Sequence, residues 1–225
     1  MSGPQQVVPV IAIDGPTASG KGTVAQRVAG ALGFHYLDSG ALYRLVALAA
    51  NQAGVGWADE AALAPIAATL DVHFSSNEIY LNQLVVTDSV RREEISAGAS
   101  QVALWPAVRA ALLARQKAFR LRPGLVADGR DMGSVVFTDA VLKIYLTADP
   151  ATRAERRYKQ LIGKGMGANM TALLQDIQAR DERDSQRSAA PLQKTDDAIL
   201  LDTTHLSIDA AVEAVLARYK AVTKL

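Results

Sequence analysis

The chain of 225 residues contains no cysteine and only three histidines, and its charges nearly cancel. Without cysteine it can have no disulfide, thiol nucleophile, iron–sulfur cluster or cysteine-bound zinc. The histidines, His35, His73 and His205, are far apart and do not have a metal-binding spacing such as H-E-x-x-H. The 24 basic and 23 acidic side chains give a formal net charge of +1. This balance argues against a protein that coats nucleic acid, so no nucleic-acid partner is expected.

Long apolar runs are also missing. No run approaches the roughly 18 residues that cross a membrane, and Met1–Gln6 lacks the basic stretch that begins an export signal. We therefore expect a cytoplasmic protein without a membrane partner. Apolar residues still make up 49% of the chain, which is enough for a packed core. The length indicates one domain, or one domain with an insertion.

Short apolar runs alternate along the chain with segments whose apolar residues recur every three or four positions, as in amphipathic helices. This alternation predicts a five-stranded parallel α/β sheet with helices on both faces. The predicted strands are Val7–Ile13, Phe34–Leu37, Leu125–Ala127, Val141–Leu146 and Ala198–Asp202. The predicted helices begin near Lys21, Ser39, Asp59, Pro106, Asp149, Thr171 and Ser207, one more ends near Leu104, and the helix from Pro106 is predicted to end at Pro123-Gly124.

The pattern changes between about residues 70 and 88. Three short β runs, Val72–Phe74, Ile79–Leu81 and Leu84–Val86, are separated by polar residues of the kind that form turns, Ser75-Ser76-Asn77 and Asn82-Gln83. These runs predict a small antiparallel insert within the α/β fold.

A phosphate-binding loop is the strongest motif in the sequence. The segment Gly15-Pro16-Thr17-Ala18-Ser19-Gly20-Lys21 fits G-x-x-x-x-G-K and lies between a predicted strand and a predicted helix. Backbone N–H groups of such a loop surround phosphate oxygens, the helix adds its positive end, and the lysine adds a full charge. Gly22 stands where serine or threonine usually follows the lysine, so the next residue, Thr23, is the candidate hydroxyl for Mg²⁺ or phosphate. An ordinary glycine-rich turn would explain neither the strand before the loop nor the helix after it.

Two further polar segments, residues 37–44 (LDSGALYR) and 128–133 (DGRDMG), follow predicted strands. Ligands of open parallel sheets bind beyond the carboxyl ends of the strands, so these segments are expected at the same edge as the phosphate loop. Each segment taken singly also has a simpler explanation: Asp38 or Ser39 is a plausible helix cap without a binding role, and Arg44 is a plausible solvated side chain.

The predicted helix from Thr171 to Ser188 changes character along one face. An apolar stripe at helical spacing continues as a charged stripe, which is expected where a helix lines a cleft for an anionic ligand. The alternative is a helix that leaves the body and forms solvated ion pairs such as Arg180–Asp184. The apolar residues are Met170, Leu173, Leu174 and Ile177, and the charged face carries Arg180, Asp181, Asp184 and Ser188, with Arg187 beside them.

Three arginines, Arg153, Arg156 and Arg157, precede a glycine-rich segment at Gly163–Asn169. On a flap, arginines can close over phosphates during transfer and neutralise their charge. A basic, exposed helix face would have the same sequence, so both interpretations remain open.

These segments together, with Leu201-Asp202-Thr203-Thr204, resemble the bacterial cytidylate kinase family from about Val10 to Tyr219. The Gly-Lys-Gly-Thr variant of the loop is itself typical of nucleoside monophosphate kinases. The resemblance implies one P-loop NTPase domain of the nucleoside monophosphate kinase type over residues 1–225. Within it, residues 40–110 would form a helical and β CMP-binding insert and residues 153–170 a flap, and the protein would be a monomer.

The resemblance also implies a reaction, the transfer of phosphate from ATP to CMP or dCMP with Mg²⁺, and roles for particular residues. Gly15 to Thr23 would bind ATP, and Lys21, Arg130 and Arg187 would be catalytic. Ser100 and Arg109 depend on the resemblance alone. The implied CMP-binding residues are Arg44, Arg130 and Arg187 at the α-phosphate, Ser100, Arg109 and Asp131 at cytosine, Arg180 and Asp184 at the sugar, and Ser39.

Two other functions remain open. Another small-molecule kinase of the same fold, such as a shikimate or dephospho-coenzyme A kinase, is disfavoured by the β insert and by Asp-Gly-Arg-Asp. A nucleotide-dependent switch is disfavoured because Gly22 follows the loop lysine and the sequence has no Asn-Lys-x-Asp motif for guanine.

Overall fold

The computed structural model describes residues 7–74, 78–163 and 165–223. The β-strands are β1 Val10–Asp14, β2 His35–Asp38, β3 Val72–Phe74, β4 Ile79–Leu81, β5 Leu84–Val85, β6 Leu125–Gly129, β7 Leu142–Thr147 and β8 Ile199–Asp202. The α-helices are α1 Lys21–Leu32, α2 Ser39–Gln52, α3 Glu60–Ala68, α4 Glu93–Val102, α5 Pro106–Ala118, α6 Pro150–Ile162, α7 Met170–Gln186 and α8 Ile208–Thr223. A 3₁₀ turn, Ser89–Arg91, and a π-helical turn, Met132–Val136, complete the described structure.

A five-stranded parallel sheet, in the order β2-β6-β1-β7-β8, confirms the predicted fold class. β1 lies at the centre and pairs in parallel with β6 and β7. Every residue of β1 and β6 is buried, as expected for parallel strands covered on both faces. β1 begins at Val10 rather than Val7 because Pro9 has no N–H for the ladder.

One local prediction was wrong. The helix from Pro106 ends at Ala118 rather than at Pro123-Gly124. Its continuation is broken by a turn in which the Leu121 N–H donates to the Phe119 carbonyl, and Pro123 disfavours helical geometry at Arg122. The π-helical turn after β6 was not predicted, because the carboxylate that accepts from its backbone N–H groups, Asp14, lies far away in the sequence.

The chain divides into two compact units, Met1–Leu37 with Phe119–Leu225, and Asp38–Ala118. The larger unit has its core around β1, β6 and β7, with α1 and α8 packed against them. The smaller unit contains α2 to α5 and the antiparallel sheet β3-β4-β5, which confirms the predicted β insert. Asn82 and Gln83 have φ values of 50° and 64°, as in a two-residue hairpin turn. The predicted turn at 75–77 lies outside the described residues.

In the described ranges, none of the helices combines the length and the apolar character needed to cross a membrane.

Candidate phosphotransfer site

The phosphate loop has the predicted strand–loop–helix context. It follows β1, and α1 begins at Lys21 after Gly20, whose φ of 90° closes the loop. The Lys21 side chain is 9% exposed, and its Nζ donates to the Pro16 carbonyl at 3.1 Å. Gly15 lies so close to β7 that a Cβ there would overlap the Leu146 carbonyl oxygen. The loop is therefore held tightly against the end of the sheet.

Two of the predicted flap arginines contact the phosphate loop from α6. Arg153 is 3% exposed and donates to the Thr17 carbonyl at 3.2 Å and to both carboxylate oxygens of Asp181 at 3.0 and 2.5 Å. Arg156 donates to the Ser19 carbonyl at 3.1 Å. The interpretation of an exposed basic face is therefore wrong for Arg153, which ties the loop to α6 and α7.

The third flap candidate, Arg157, lies on the same helix and has a different partner. Its Nη1 donates to the side-chain oxygen of Gln160, one turn further along α6, at 2.7 Å. This bond is local to the helix, whereas Arg153 and Arg156 each reach the phosphate loop. A role for any of the three at a transferring phosphate stays a prediction.

Asp14, the last residue of β1, holds the segment that follows β6. Its two carboxylate oxygens accept hydrogen bonds from the backbone N–H groups of Met132 and Gly133, each at 2.8 Å. Burial raises the pKa of Asp14 to about 6 even though these N–H groups favour the charged form. Asp14 was not among the predicted site residues, although a carboxylate that ends a wholly apolar strand beside a phosphate loop was an available signal.

Arg130 and Asp184 form a buried ion pair in the larger unit. The Arg130 Nε donates to Asp184 Oδ2 at 2.7 Å, and Asp184 is 7% exposed. Burial alone would raise the pKa of Asp184, but Arg130, together with Arg180 and Arg187, holds that pKa below its ordinary value. Burial alone would lower the pKa of Arg130, and Asp184 outweighs it, so that the pKa is raised. The three predicted arginines therefore gather around one carboxylate.

Burial along α7 includes Ile177 of the apolar stripe and Asp184 of the charged stripe. Met170, expected at the start of the core stripe, is 38% exposed, whereas Asp184 and Arg187 at the charged end are buried. The interpretation of a solvated Arg180–Asp184 pair is therefore wrong. Charged side chains are buried here because they pair with Arg130, directly after β6, and with the loop after α7, where the Ala190 carbonyl accepts from Arg187 Nε.

A tyrosine that the sequence analysis missed lies beside the phosphate loop. The Tyr36 hydroxyl, on β2, donates to Asp128 Oδ1, on β6, at 2.7 Å. A Cβ at Gly22 would lie 3.6 Å from this hydroxyl and 3.9 Å from Asp128 Oδ2. Thr23, the candidate hydroxyl, is exposed in the first turn of α1. Both Tyr36 and Asp128 thus face the position where a side chain after the lysine would begin.

The smaller unit contains Ser39 and Arg44 on α2. Asp38 accepts from the Ala41 N–H at 3.0 Å as the helix cap, so the simpler explanation holds for Asp38. The same carboxylate accepts from Arg44 Nη2 at 2.6 Å, which orients the guanidinium, and Ser39 is 3% exposed.

Ser100 on α4 and Arg109 on α5 also belong to the smaller unit. Ser100 is 7% exposed, and its Oγ has no hydrogen-bond partner among the described residues. The Arg109 guanidinium lies 5.7 Å from the centre of the Tyr43 ring, and its Nη1 donates to the Ala103 carbonyl at 3.3 Å. The remaining predicted site residues, including Asp131 at 3% exposure, belong to the larger unit.

The sequence matches known proteins over nearly its whole length. A family model described as cytidylate kinase matches residues 11–221. A cytidylate kinase from Chromobacterium violaceum is 60% identical over 209 residues, 93% of this chain and 94% of that protein. A cytidylate kinase from Polynucleobacter asymbioticus is 57% identical over 213 residues, 95% of this chain and 97% of that protein.

A crystal structure of an uncharacterized protein from Eubacterium ventriosum aligns with a TM-score of 0.50. The two sequences are 13% identical, and the alignment covers 95% of this chain and 99% of that one. At this identity the likeness shows the fold alone.

Proposed function

The chain belongs to the cytidylate kinase family, and from this premise we propose that it transfers the γ-phosphoryl group of ATP to CMP or dCMP, giving ADP and CDP or dCDP. The observation that carries the proposal is the arrangement of the larger unit. A phosphate loop with a nearly buried lysine shares this unit with three arginines gathered around Asp184.

The phosphate loop binds the donor. Its backbone N–H groups and the Lys21 ammonium take up the negative charge of the ATP phosphates, and the end of α1 adds a partial positive charge. Arg153 and Arg156 hold the loop by its carbonyl oxygens, so that its N–H groups need no reorganisation as charge develops.

The acceptor needs placement rather than a strong base. A phosphate oxygen of CMP is already ionised when it attacks the γ-phosphorus in line, the bond to the β–γ bridging oxygen breaks, and ADP leaves with that electron pair. Arg130 and Arg187 bind the acceptor phosphate and offset the repulsion between the two nucleotides. Asp184 holds the Arg130 guanidinium in place before the substrate arrives, since the two side chains are paired at 2.7 Å.

Candidate residues for binding the base and the sugar are present in each unit. The Asp131 carboxylate accepts from the exocyclic amine of cytosine, and Ser100 and Arg109 donate to the ring acceptors. The buried Ser100 hydroxyl supports this role, because its Oγ has no protein partner in the described part of the chain. Arg180 and Asp184 contact the sugar, and Ser39 and Arg44 complete the acceptor set.

Magnesium fits the residues beside the phosphate loop. Mg²⁺ takes oxygen ligands, usually one or two carboxylates with phosphates and waters. The Asp128 carboxylate would supply an oxygen beside Gly22, where the missing side chain leaves room, and Thr23 remains a second candidate. When bound, Mg²⁺ neutralises charge on the β- and γ-phosphates. The described residues hold no group of three or more histidine, aspartate or glutamate side chains placed to bind a metal ion.

An acceptor panel tests this function. ADP release is measured with ATP and each nucleoside monophosphate, and with shikimate and dephospho-coenzyme A. We expect CMP and dCMP to be the best acceptors. Preference for a non-nucleotide acceptor would contradict the proposal, and binding of ATP and CMP without CDP formation would favour a switch.

The Lys21→Ala variant tests the loop in the same assay. Loss of the ammonium should lower turnover by about 10²–10³-fold, the size seen when one preorganised charge-stabilising group is removed. The exposed Lys220→Ala on α8 is the matched control and should keep normal turnover. Far-UV circular dichroism confirms that both variants fold, and near-normal turnover of Lys21→Ala would exclude the assigned role.

A further inference from the structure

The hydroxyl of Tyr36 occupies a defined position between two parts of the site. Tyr36 lies on the edge strand β2 and Asp128 on the neighbouring β6, 92 residues later in the sequence. The 2.7 Å bond joins the tyrosine hydroxyl to one oxygen of the carboxylate, Oδ1. The other oxygen, Oδ2, lies on the side of Gly22, 3.9 Å from the point where a Cβ would begin.

Gly22 explains why this hydroxyl matters. In most phosphate loops the residue after the lysine is serine or threonine, and its hydroxyl contributes to the Mg²⁺ site together with an aspartate. Here that residue has no side chain, and the nearest atoms to the vacant Cβ position are the Tyr36 hydroxyl at 3.6 Å and Asp128 Oδ2. The chain therefore presents a hydroxyl from a neighbouring strand at the place where the loop itself lacks one.

We propose that Tyr36 is a positioning residue that fixes the Asp128 carboxylate toward the Mg²⁺ of the bound MgATP and replaces the hydroxyl that Gly22 lacks. The proposal rests on the proposed kinase function. Asp128 is 5% exposed, so water does not readily replace a lost hydrogen bond there. With Oδ1 bonded to the Tyr36 hydroxyl, the second oxygen of the carboxylate, Oδ2, is directed toward the loop.

The test is Tyr36→Phe, which removes the hydroxyl and keeps the ring. Partners that orient a metal ligand are typically worth about 10–100-fold in metal affinity. We expect Tyr36→Phe to raise by about tenfold or more both the Mg²⁺ concentration for half-maximal rate and the dissociation constant of Mn²⁺ in the ATP complex, measured by electron paramagnetic resonance. ATP affinity in the presence of EDTA should be unchanged, because the phosphate loop is intact.

Tyr219→Phe is the matched control. Tyr219 lies on α8 in the same unit, is 5% exposed and packs edge-on against Phe34 in the core. Tyr219→Phe removes the same hydroxyl group as Tyr36→Phe, but away from the site. The Mg²⁺ requirement and the Mn²⁺ dissociation constant should therefore keep wild-type values. If Tyr36→Phe also keeps wild-type values, or weakens ATP binding equally with and without metal, the proposal is wrong.

A double-mutant cycle with Asp128→Asn tests whether Tyr36 acts through Asp128. Once the carboxylate is gone, Tyr36→Phe should cost no further Mn²⁺ affinity, whereas additive effects would contradict the proposal. If the Asp128→Asn chain does not fold, the Tyr36→Phe comparison decides alone. The wild-type chain is assayed for CDP formation in the same preparation, so that failure of the kinase function is distinguished from failure of the Tyr36 role.

Discussion

At the residue scale, buried charges of opposite behaviour lie within the larger unit. Asp184 is stabilised as a carboxylate by three arginines, whereas Asp14 is buried against backbone N–H groups and its pKa is raised to about 6. The Asp184 contribution to stability is present above its unfolded pKa and is lost as the pH falls through its lowered folded pKa. The Asp14 contribution to stability is present below its unfolded pKa and is lost as the pH rises through its raised folded pKa.

Asp14→Asn tests the sign. As the pH rises from 3.8 toward about 6, the unfolded chain releases the Asp14 proton before the folded chain does, so the folded state loses stability. At about 1.4 kcal/mol for each pH unit in this interval, the loss is about 3 kcal/mol. Because the unfolded Asp14 is already more than half ionised at pH 4, we expect the free energy of unfolding of the wild type, relative to Asp14→Asn, to fall by about 2 kcal/mol between pH 4 and pH 7.

Urea unfolding at the two pH values, followed by far-UV circular dichroism, measures this difference. Circular dichroism is preferred to fluorescence because Trp57 and Trp105 both belong to the smaller unit, whereas Asp14 belongs to the larger one. The same pH dependence in both chains would mean that Asp14 is not the group responsible.

At the element scale, the phosphate loop is held by close backbone packing as well as by hydrogen bonds. The loop passes the end of β7 at Gly15 and enters α1 at Lys21. Arginines of α6 donate hydrogen bonds to the carbonyl oxygens of the loop. The loop therefore depends on elements that are distant in the sequence. β1 lies near the N-terminus, and β7 and α6 follow more than a hundred residues later.

Gly15→Ala and Gly30→Ala are predicted to change stability in opposite directions. A Cβ at Gly15 overlaps the Leu146 carbonyl, a backbone atom that cannot move aside cheaply, so the free energy of unfolding should fall by about 1–3 kcal/mol. A Cβ at Gly30, inside α1, meets no atom within 4 Å, and alanine there should raise it by about 0.5–1 kcal/mol. Thermal unfolding compares the three chains, and equal stability of both variants would contradict the packing described for Gly15.

At the scale of the whole molecule, a net charge of +1 coexists with a local group of basic side chains in the larger unit. The cations proposed to bind nucleotides are buried or half-buried in this unit: Lys21, Arg130, Arg180 and Arg187. The remaining charged side chains are a mixture of basic and acidic residues. Affinity for nucleotides is therefore a local property that the overall charge does not report.

Binding of substrate should stabilise the whole chain by mass action. At a concentration a hundredfold above its dissociation constant, CMP adds about 2.7 kcal/mol to the free energy of unfolding. For a chain of this size that corresponds to a rise in Tm of about 5–10 °C. Differential scanning fluorimetry with CMP, and with GMP at the same concentration, checks the effect. An equal rise in Tm with GMP would exclude the proposed recognition of the cytosine base.

Much of the site was predictable because its signals are local. The phosphate loop needs a strand, seven residues and a helix in direct succession, and Arg130, Arg180 and Arg187 stand out in short charged segments. The partners of these residues were not predictable. Nothing near Asp14 indicates that it accepts the N–H groups of Met132 and Gly133, which lie 118 and 119 residues away.

The amino-acid sequence by itself determined the five strands of the parallel sheet, the small antiparallel insert and the position of the phosphate loop, because apolar periodicity and turn chemistry act over a few neighbouring residues. The tertiary structure alone decided which charges are buried, that Asp184 pairs with Arg130 and that Tyr36 bonds to Asp128. These pairings depend on the order and register in which the strands assemble, and a parallel sheet brings together residues that the chain keeps far apart.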